Sequence, residues 1–227
     1  MTDVHSTEPE GGTVPAGDFG SWLADMQAAL RGDRDSDVPC NGCTACCRAS
    51  HFIHIAPGES ETLAQIPSAL LIQAPGRPKG HVLLGYDDRG HCPMLIDDRC
   101  SIYEHRPQTC RTYDCRIFPA TGVDVAVEGR HEVAERAGRW RFSYPRDADR
   151  VRHAAALAAA TYLDAHRGEL PAGGVPAAPT QLAVLAVELH DAFLDDGGAV
   201  EAEPRVDAVS VVLLRRRRPG RLTTGRP

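Results

Sequence analysis

No segment of this chain approaches the roughly 20 consecutive apolar residues that a membrane-spanning helix needs, so the sequence gives no expectation of a membrane partner. The first 18 residues have neither a basic start nor an apolar run and do not read as a secretory leader. Nor is there an excess of positive charge. The formal net charge is -6, with a pI near 5.9, which argues against a general nucleic-acid surface. Lysine is almost missing: Lys79 is the single lysine among 25 basic side chains. That imbalance reads as coding bias, so arginine richness by itself carries little weight. Walker A, strand-to-helix G-x-G-x-x-G, H-E-x-x-H and G-x-S-x-G sequences are all missing. Their absence leaves no sign of a P-loop, a dinucleotide or classical methyl-donor cradle, a zinc-protease helix or a nucleophile elbow.

What the chain does have is eight cysteines, all between positions 40 and 115. The first four are tight, C-x2-C-x2-C-C at Cys40, Cys43, Cys46 and Cys47. The other four are spread out, at Cys92, Cys100, Cys110 and Cys115. A chain of 227 residues can bury a core without staples. With no leader the cytosol is the expected compartment, and there clustered thiols more often bind metal than pair as disulfides. Thiolates are soft ligands that suit zinc, Cu(I) and iron–sulfur clusters. The bland alternatives are disulfide or redox exchange and buried apolar thiols. Eight thiols can serve two four-ligand sites, or one site with several left over. On a helix the adjacent Cys46 and Cys47 point about 100° apart, which is easier to reconcile with two metals, or a metal and a second role, than with one ion.

Around the cysteines the expected structure is mostly short elements. Residues 1–18 lack periodic apolar positions and are expected to be disordered. Asp18 is a candidate N-cap for a helix with Trp22, Leu23, Met26 and Leu30 on one face, ending near Gly32. Asn41-Gly42 signals a knuckle between Cys40 and Cys43. Strands are expected at 51–55 and 81–86, one or two helical turns at 60–66, and a hairpin over 92–96 and 99–103 that brings two cysteines together. Residues 103–115 read as partly helical with a break at Arg106-Pro107. Further strands are expected at 123–127 and 139–144, and long helices at 147–166 and 180–194, the second with Leu182, Leu185, Leu189 and Phe193 along one side. The state of 206–214 is not fixed by pattern, and the Arg215 to Arg218 run reads as part of a solvated tail.

The fold class expected is α+β, a small irregular cysteine-rich metal-binding core with short hairpins, flanked by one N-terminal and two C-terminal helices. The domain division expected is 1–18 disordered, 19–120 metal-binding with its N-terminal helix, 121–214 a mainly helical extension packing on it, and 215–227 a basic disordered tail. Arg48, Arg99, Arg111 and Arg116 each adjoin a cysteine and could offset thiolate charge. His51, His54, His81, His91 and His105 lie inside the cysteine window as alternative ligands. The carboxylate pairs Glu59/Glu61, Asp87/Asp88 and Asp97/Asp98 sit where caps and turns place them.

Several runs together carry a resemblance: Cys40-Asn41-Gly42-Cys43-Thr44-Ala45-Cys46-Cys47; Gly90-His91-Cys92-Pro93-Met94-Leu95; Cys100-Ser101-Ile102-Tyr103-Glu104-His105-Arg106-Pro107; Cys110-Arg111; and Cys115. This segment resembles the YkgJ-type CxxCxxCC cysteine-cluster family, described as a zinc- or iron-chelating domain. The resemblance covers about residues 40–116. It implies metal ligation with zinc or iron, the latter also as an iron–sulfur cluster, through Cys40, Cys43, Cys46, Cys47, Cys92, Cys100, Cys110 and Cys115. A relative of that family, flagellin lysine N-methylase, carries a similar cluster, which implies a protein-modifying enzyme with a protein substrate as one alternative. A structural zinc module for a protein partner is another. Whether the chain is an enzyme stays open at this level. Tyr103, Arg106 and Arg111 are shared with the family pattern and read as latches around the hairpin rather than substrate contacts.

Overall fold

The structure is a computed structural model and describes residues 12–36, 38, 40, 42–204 and 206–217. In chain order it begins with strand β1 (Val14–Asp18) and helix α1 (Phe19–Arg31). After the first cysteine group come β2 (Ile53–Ile55), α2 (Ser60–Gln65), β3 (Leu71–Gln73) and β4 (Val82–Leu84), then the paired strands β5 (Leu95–Ile96) and β6 (Arg99–Cys100). Helices α3 (Gln108–Thr112), α4 (Ile117–Thr121) and α5 (His131–Arg139) lead to β7 (Trp140–Ser143). Helices α6 (Asp147–Ala165), α7 (Pro179–Leu189) and α8 (Val206–Arg217) follow. This mixture of helices and small sheets is the expected α+β class.

The chain divides into two compact units that share it in alternating segments. Among the described residues the first takes 12–14, those of 24–115, and 125–140; the second takes 15–23, 116–124 and those of 141–217. Every cysteine is in the first unit. So is α5, which lies beyond the expected boundary at residue 120 because it packs on the single 3-10 turn Ala45–Arg48 that carries Cys46 and Cys47.

Within the first unit, β2, β4 and β3 form an antiparallel sheet in that order, with Ile53 opposite Leu84 and Leu71 opposite Leu84 from the other side. Ile55, Ile66, Leu84, Met94 and Ile102 are buried together, and Cys92 and Cys100 pack against them. The small apolar core therefore anchors both hairpin cysteines. The charged connector before the first cysteine is held to α3: Ser36 N–H donates to the Arg111 carbonyl at 2.9 Å, and Asp35 receives Gln108 Nε2 at 3.0 Å and Arg111 Nε at 3.1 Å.

The second unit has its own core. Ala155, Ala159, Leu163, Leu182, Leu185, Ala186, Leu189 and Phe193 bury one face of α6 against α7 and the turn after it, with Val209 and Leu213 of α8 added. Alanine on α6 opposite leucine on α7 gives the large-and-small interdigitation that close helix packing needs. At α1, Asp18 Oδ1 accepts the Ser21 N–H at 2.7 Å, the expected N-cap bond. Gly32, at φ +80°, follows its last residue.

Several expectations are corrected. Residues 14–18 form β1, which pairs with β7, so the ordered chain begins before the first helix. Val14 and Ala16 alternate buried with exposed neighbours, a strand signal too short to stand out from its glycines and prolines. The expected strand at 123–127 is a 3-10 turn at Ala126–Glu128 after irregular chain. The expected helix 180–194 is α helix only to Leu189 and tightens into a 3-10 turn over His190–Phe193. Helix α8 runs through Arg215 and Arg217, where a disordered tail was expected; the other expected disorder, at 1–11 and 218–227, lies outside the described residues.

Candidate metal centre

The first cysteine group is shaped by two consecutive tight turns. The Cys43 N–H donates to the Cys40 carbonyl at 2.9 Å, and Gly42 takes φ +81°, a conformation that suits glycine. The 3-10 turn follows, with the Cys47 N–H donating to the Thr44 carbonyl at 2.8 Å. A 3-10 helix has three residues per turn, so neighbouring side chains diverge by about 120°. Yet the Cys46 and Cys47 side chains are hydrogen-bonded to each other, so the two sulfurs turn toward one another rather than apart. Arg48 secures the end of this turn: its Nε donates to Thr44 Oγ1 at 3.2 Å and its guanidinium pairs with Asp98.

The second pair of cysteines comes from the expected hairpin. Asp97 and Asp98 both have positive φ, 49° and 57°, the backbone that a two-residue hairpin turn requires and that aspartate tolerates. Leu95 lies opposite Cys100 across β5 and β6. The Cys92 N–H donates to the Cys47 carbonyl at 2.7 Å, which ties the hairpin directly to the first group. Backbone N–H groups point at the sulfurs here: those of Met94 and Leu95 at Cys92, and that of Ile102 at Cys100. Such donors stabilise a thiolate.

Cys110 sits on α3, its N–H bonded to the Pro107 carbonyl at 2.8 Å. Cys115 receives the indole N–H of Trp140, Nε1 to Sγ 3.2 Å. The Arg136 guanidinium lies 4.6 Å from the Trp140 ring centroid. Its Nη2 is 3.5 Å from the Cys40 carbonyl oxygen. Trp140 and Arg136 were not found by sequence reasoning. They lie more than 20 residues beyond the last cysteine, and nothing local marks them.

All eight cysteines are free thiols, and all are partly buried. Burial pushes Cys40 up to about 11 and Cys110 and Cys115 up to about 12, and it raises Cys92 and Cys100 as well. Neighbouring sulfurs add to each of these shifts. Cys47 moves the other way. A hydrogen bond from Cys46, helped by the Arg48 charge, lowers it to about 7, while the same bond drives Cys46 up. Arg106 and Arg136 oppose the rise at Cys40, and Arg106 also acts on Cys100 and Cys110.

Of the arginines adjoining cysteines, Arg48 acts on the Cys47 sulfur through its charge. Arg111 instead braces the chain, donating to the Arg106 carbonyl at 2.6 Å and to Gln108 Oε1 at 2.6 Å, and Arg116 donates to the Ala16 carbonyl at 3.1 Å. Arg106 has its guanidinium 4.1 Å from the Tyr103 ring centroid. Tyr103 and Arg111 thus both meet Arg106, one through its ring and the other through the Arg106 carbonyl, and Arg106 also places a charge close to the thiols.

Four of the five histidines of the window have side-chain contacts of their own, although the buried His51 Nε2 has no hydrogen-bond partner among the described residues. His54 and His81 stack and share a hydrogen bond, Nε2 to Nδ1 2.9 Å. His105 faces Glu61 at 3.8 Å. His51 meets the edge of Tyr113, and burial lowers it to about 4. The carboxylates do structural work: Glu59 accepts the N–H groups of Ala56 and Gln108, and Asp87 those of Arg89 and His91.

Among the described residues no three His, Cys, Asp or Glu side chains are closed to metal-coordinating geometry. The donor set nevertheless fits a thiolate-bound metal. It comprises eight free thiols on interlocked turns, with N–H donors aimed at Cys92, Cys100 and Cys115 and with Arg48, Arg106 and Arg136 supplying positive charge. Residues 39–121 match the model of the CxxCxxCC family, described as a "putative zinc- or iron-chelating domain". No curated protein and no solved structure matches the chain. Among the described residues no helix is long and apolar enough to cross a membrane.

Proposed function

We propose that the protein is a metal-binding protein whose cysteines at positions 40, 43, 46, 47, 92, 100, 110 and 115 hold zinc or an iron–sulfur cluster. The observation that carries this reading is the gathering of all eight free thiols in one unit, with backbone and indole N–H groups directed at three of the sulfurs. Buried thiols without a metal are driven toward their neutral form by desolvation. Donors that favour the anion are of most use when a cation draws the proton off. Bound zinc would supply a fixed charge and a closed tetrahedral link between distant turns; a cluster would supply a reversible electron site as well. In either case the chain's own part is to present sulfur, exclude bulk water from it and offset its charge through Arg48, Arg106 and Arg136.

Metal analysis with an absorption spectrum, on protein purified without air and without a metal-binding tag, tests this. Stoichiometric zinc in colourless protein, or iron with acid-labile sulfide and broad visible absorption, is expected. Protein with neither zinc nor iron would overturn the reading.

A further inference from the structure

We propose that the three-stranded sheet β2–β4–β3 is a docking surface for an extended segment of a protein partner, an apolar stretch flanked by acidic side chains that adds to β3 as a fourth strand. Nothing in this depends on the cysteines holding metal.

One face of this sheet is committed and the other is open. Ile53, Ile55, Val82 and Leu84 turn to the small apolar core that Cys92 and Cys100 also pack against. Successive side chains of a strand point to opposite faces, so His54, Leu83 and Ile72, which stand opposite one another across the three strands, line the outer face. Ile72 is 51% exposed there. Phe52, 55% exposed, lies over Gly85, where an added Cβ would be 3.5 Å from its ring. It also meets the exposed Tyr86, with 5.1 Å between ring centroids. Exposed apolar side chains gathered on one face, unlike scattered ones, mark an interaction surface.

The edges and the charge specify the occupant. The β2 edge is closed, since Thr109 Oγ1 donates to the His54 carbonyl at 2.7 Å. β3 is the other outer strand, and among the described residues no further strand pairs with it. The Ala74 N–H donates to the His81 carbonyl at 2.9 Å. Bonded and non-bonded pairs alternate along an antiparallel ladder, so Ile72 is bonded to Leu83 while the Leu71 carbonyl and the Gln73 N–H face the open side. Such an edge takes an extended polypeptide. Residues 49–58 and 62–86, which build the sheet, contain no aspartate or glutamate, in a chain with 31 acidic side chains. The β3–β4 connection instead carries the exposed Arg77 and Lys79. Acids resume at Asp87 and Asp88, the first paired with Arg89 at 2.9 Å. A strand laid along β3 thus sets apolar side chains beside Ile72 and a carboxylate near Arg77 and Lys79. Backbone pairing and the net charge of -6 favour such a segment over a nucleic acid.

Fluorescence anisotropy of a labelled peptide, a valine-threonine core flanked at both ends by glutamates, titrated with the wild-type full chain, reads the docking. Saturable binding is expected, weakened about tenfold or more by Ile72→Glu and by Arg77→Glu combined with Lys79→Glu. Two peptide controls use the wild-type chain alone and so stand even where a variant fails to fold. Methylating every backbone N–H of the peptide, or replacing its glutamates with lysines, is expected to abolish binding. No saturable binding, equal binding of the glutamate and lysine peptides, or binding that survives backbone methylation or Ile72→Glu would overturn the proposal. So would another occupant of the face: self-association in sedimentation, or capture on phosphatidylserine vesicles or oligothymidylate, that Ile72→Glu abolishes.

Discussion

His153 illustrates how a single side chain sets a pH limit away from the cysteines. Its ring stacks on Phe19 at 4.4 Å between centroids. It accepts from the Tyr144 hydroxyl at Nδ1, 2.7 Å, and donates from Nε2 to the Pro119 carbonyl, 3.1 Å. A carbonyl can only accept, so the neutral Nε2–H tautomer satisfies both contacts. Burial lowers the pKa below the ordinary histidine value of about 6.5, outweighing the opposing effect of the Pro119 bond. Because the folded value lies below the unfolded one, the stability it contributes is complete above about pH 6.5 and is lost as pH falls through the folded value. Thermal melting of wild type and His153→Gln at pH 7 and pH 5 should show the wild type losing more on acidification. Parallel losses would contradict this. At the same scale, all eight cysteines could be read as candidates from spacing and compartment, and Arg48 from its position beside Cys47. Trp140 and Arg136 could not, because their proximity to Cys115 and Cys40 is made by tertiary folding.

At the scale of elements, two glycines carry tests. Gly122 ends α4 at φ +70°, and an added Cβ would stand 3.1 Å from Leu157 Cδ2. Gly122→Ala should lower stability by about 1–2 kcal/mol, the cost of a side chain in the left-handed region, measured by denaturant unfolding; no change would contradict the assignment of that cap. Gly20 on α1 has no room for a side chain, since an added Cβ would collide with Asp149 and Arg146. Asp149 is fully buried at the start of α6 and bonded to the Arg146 guanidinium at 2.9 Å. Gly20→Ala should therefore break that pair and destabilise by about 1–3 kcal/mol. In the α6–α7 core, Leu185→Ala removes a fully buried side chain and should cost about 2–5 kcal/mol.

The same scale shows which elements the sequence makes readable. Helices α1, α6 and α7 repeat apolar positions over several turns, and the β5–β6 hairpin is flagged by Asp97-Asp98 between short apolar runs. Helix α4 has five residues with Pro119 inside, and α5 is dense in charge, with Val133 and Ala137 its buried apolar side chains. Neither has enough periodic signal to stand out, and both are fixed by what they pack on.

For the whole molecule, the two units rest on different forces. The core of the second is aliphatic and aromatic, built on α6 and α7. In the first, the apolar cluster of Ile55, Ile66, Leu84, Met94 and Ile102 has Cys92 and Cys100 packed against it, so a metal held by the cysteines would add to what burial supplies there. Chelation should then increase amide exchange over residues 40–115 and leave α6 and α7 protected; uniform exchange changes, or none, would count against that division.

The measurement that bears most directly on the central claim is X-ray absorption at the zinc or iron edge of the purified wild-type chain. Coordination by cysteine predicts a first shell of sulfur, about four neighbours per metal, at about 2.3 Å for zinc. A shell dominated by nitrogen or oxygen would place the metal elsewhere in the protein and contradict the account.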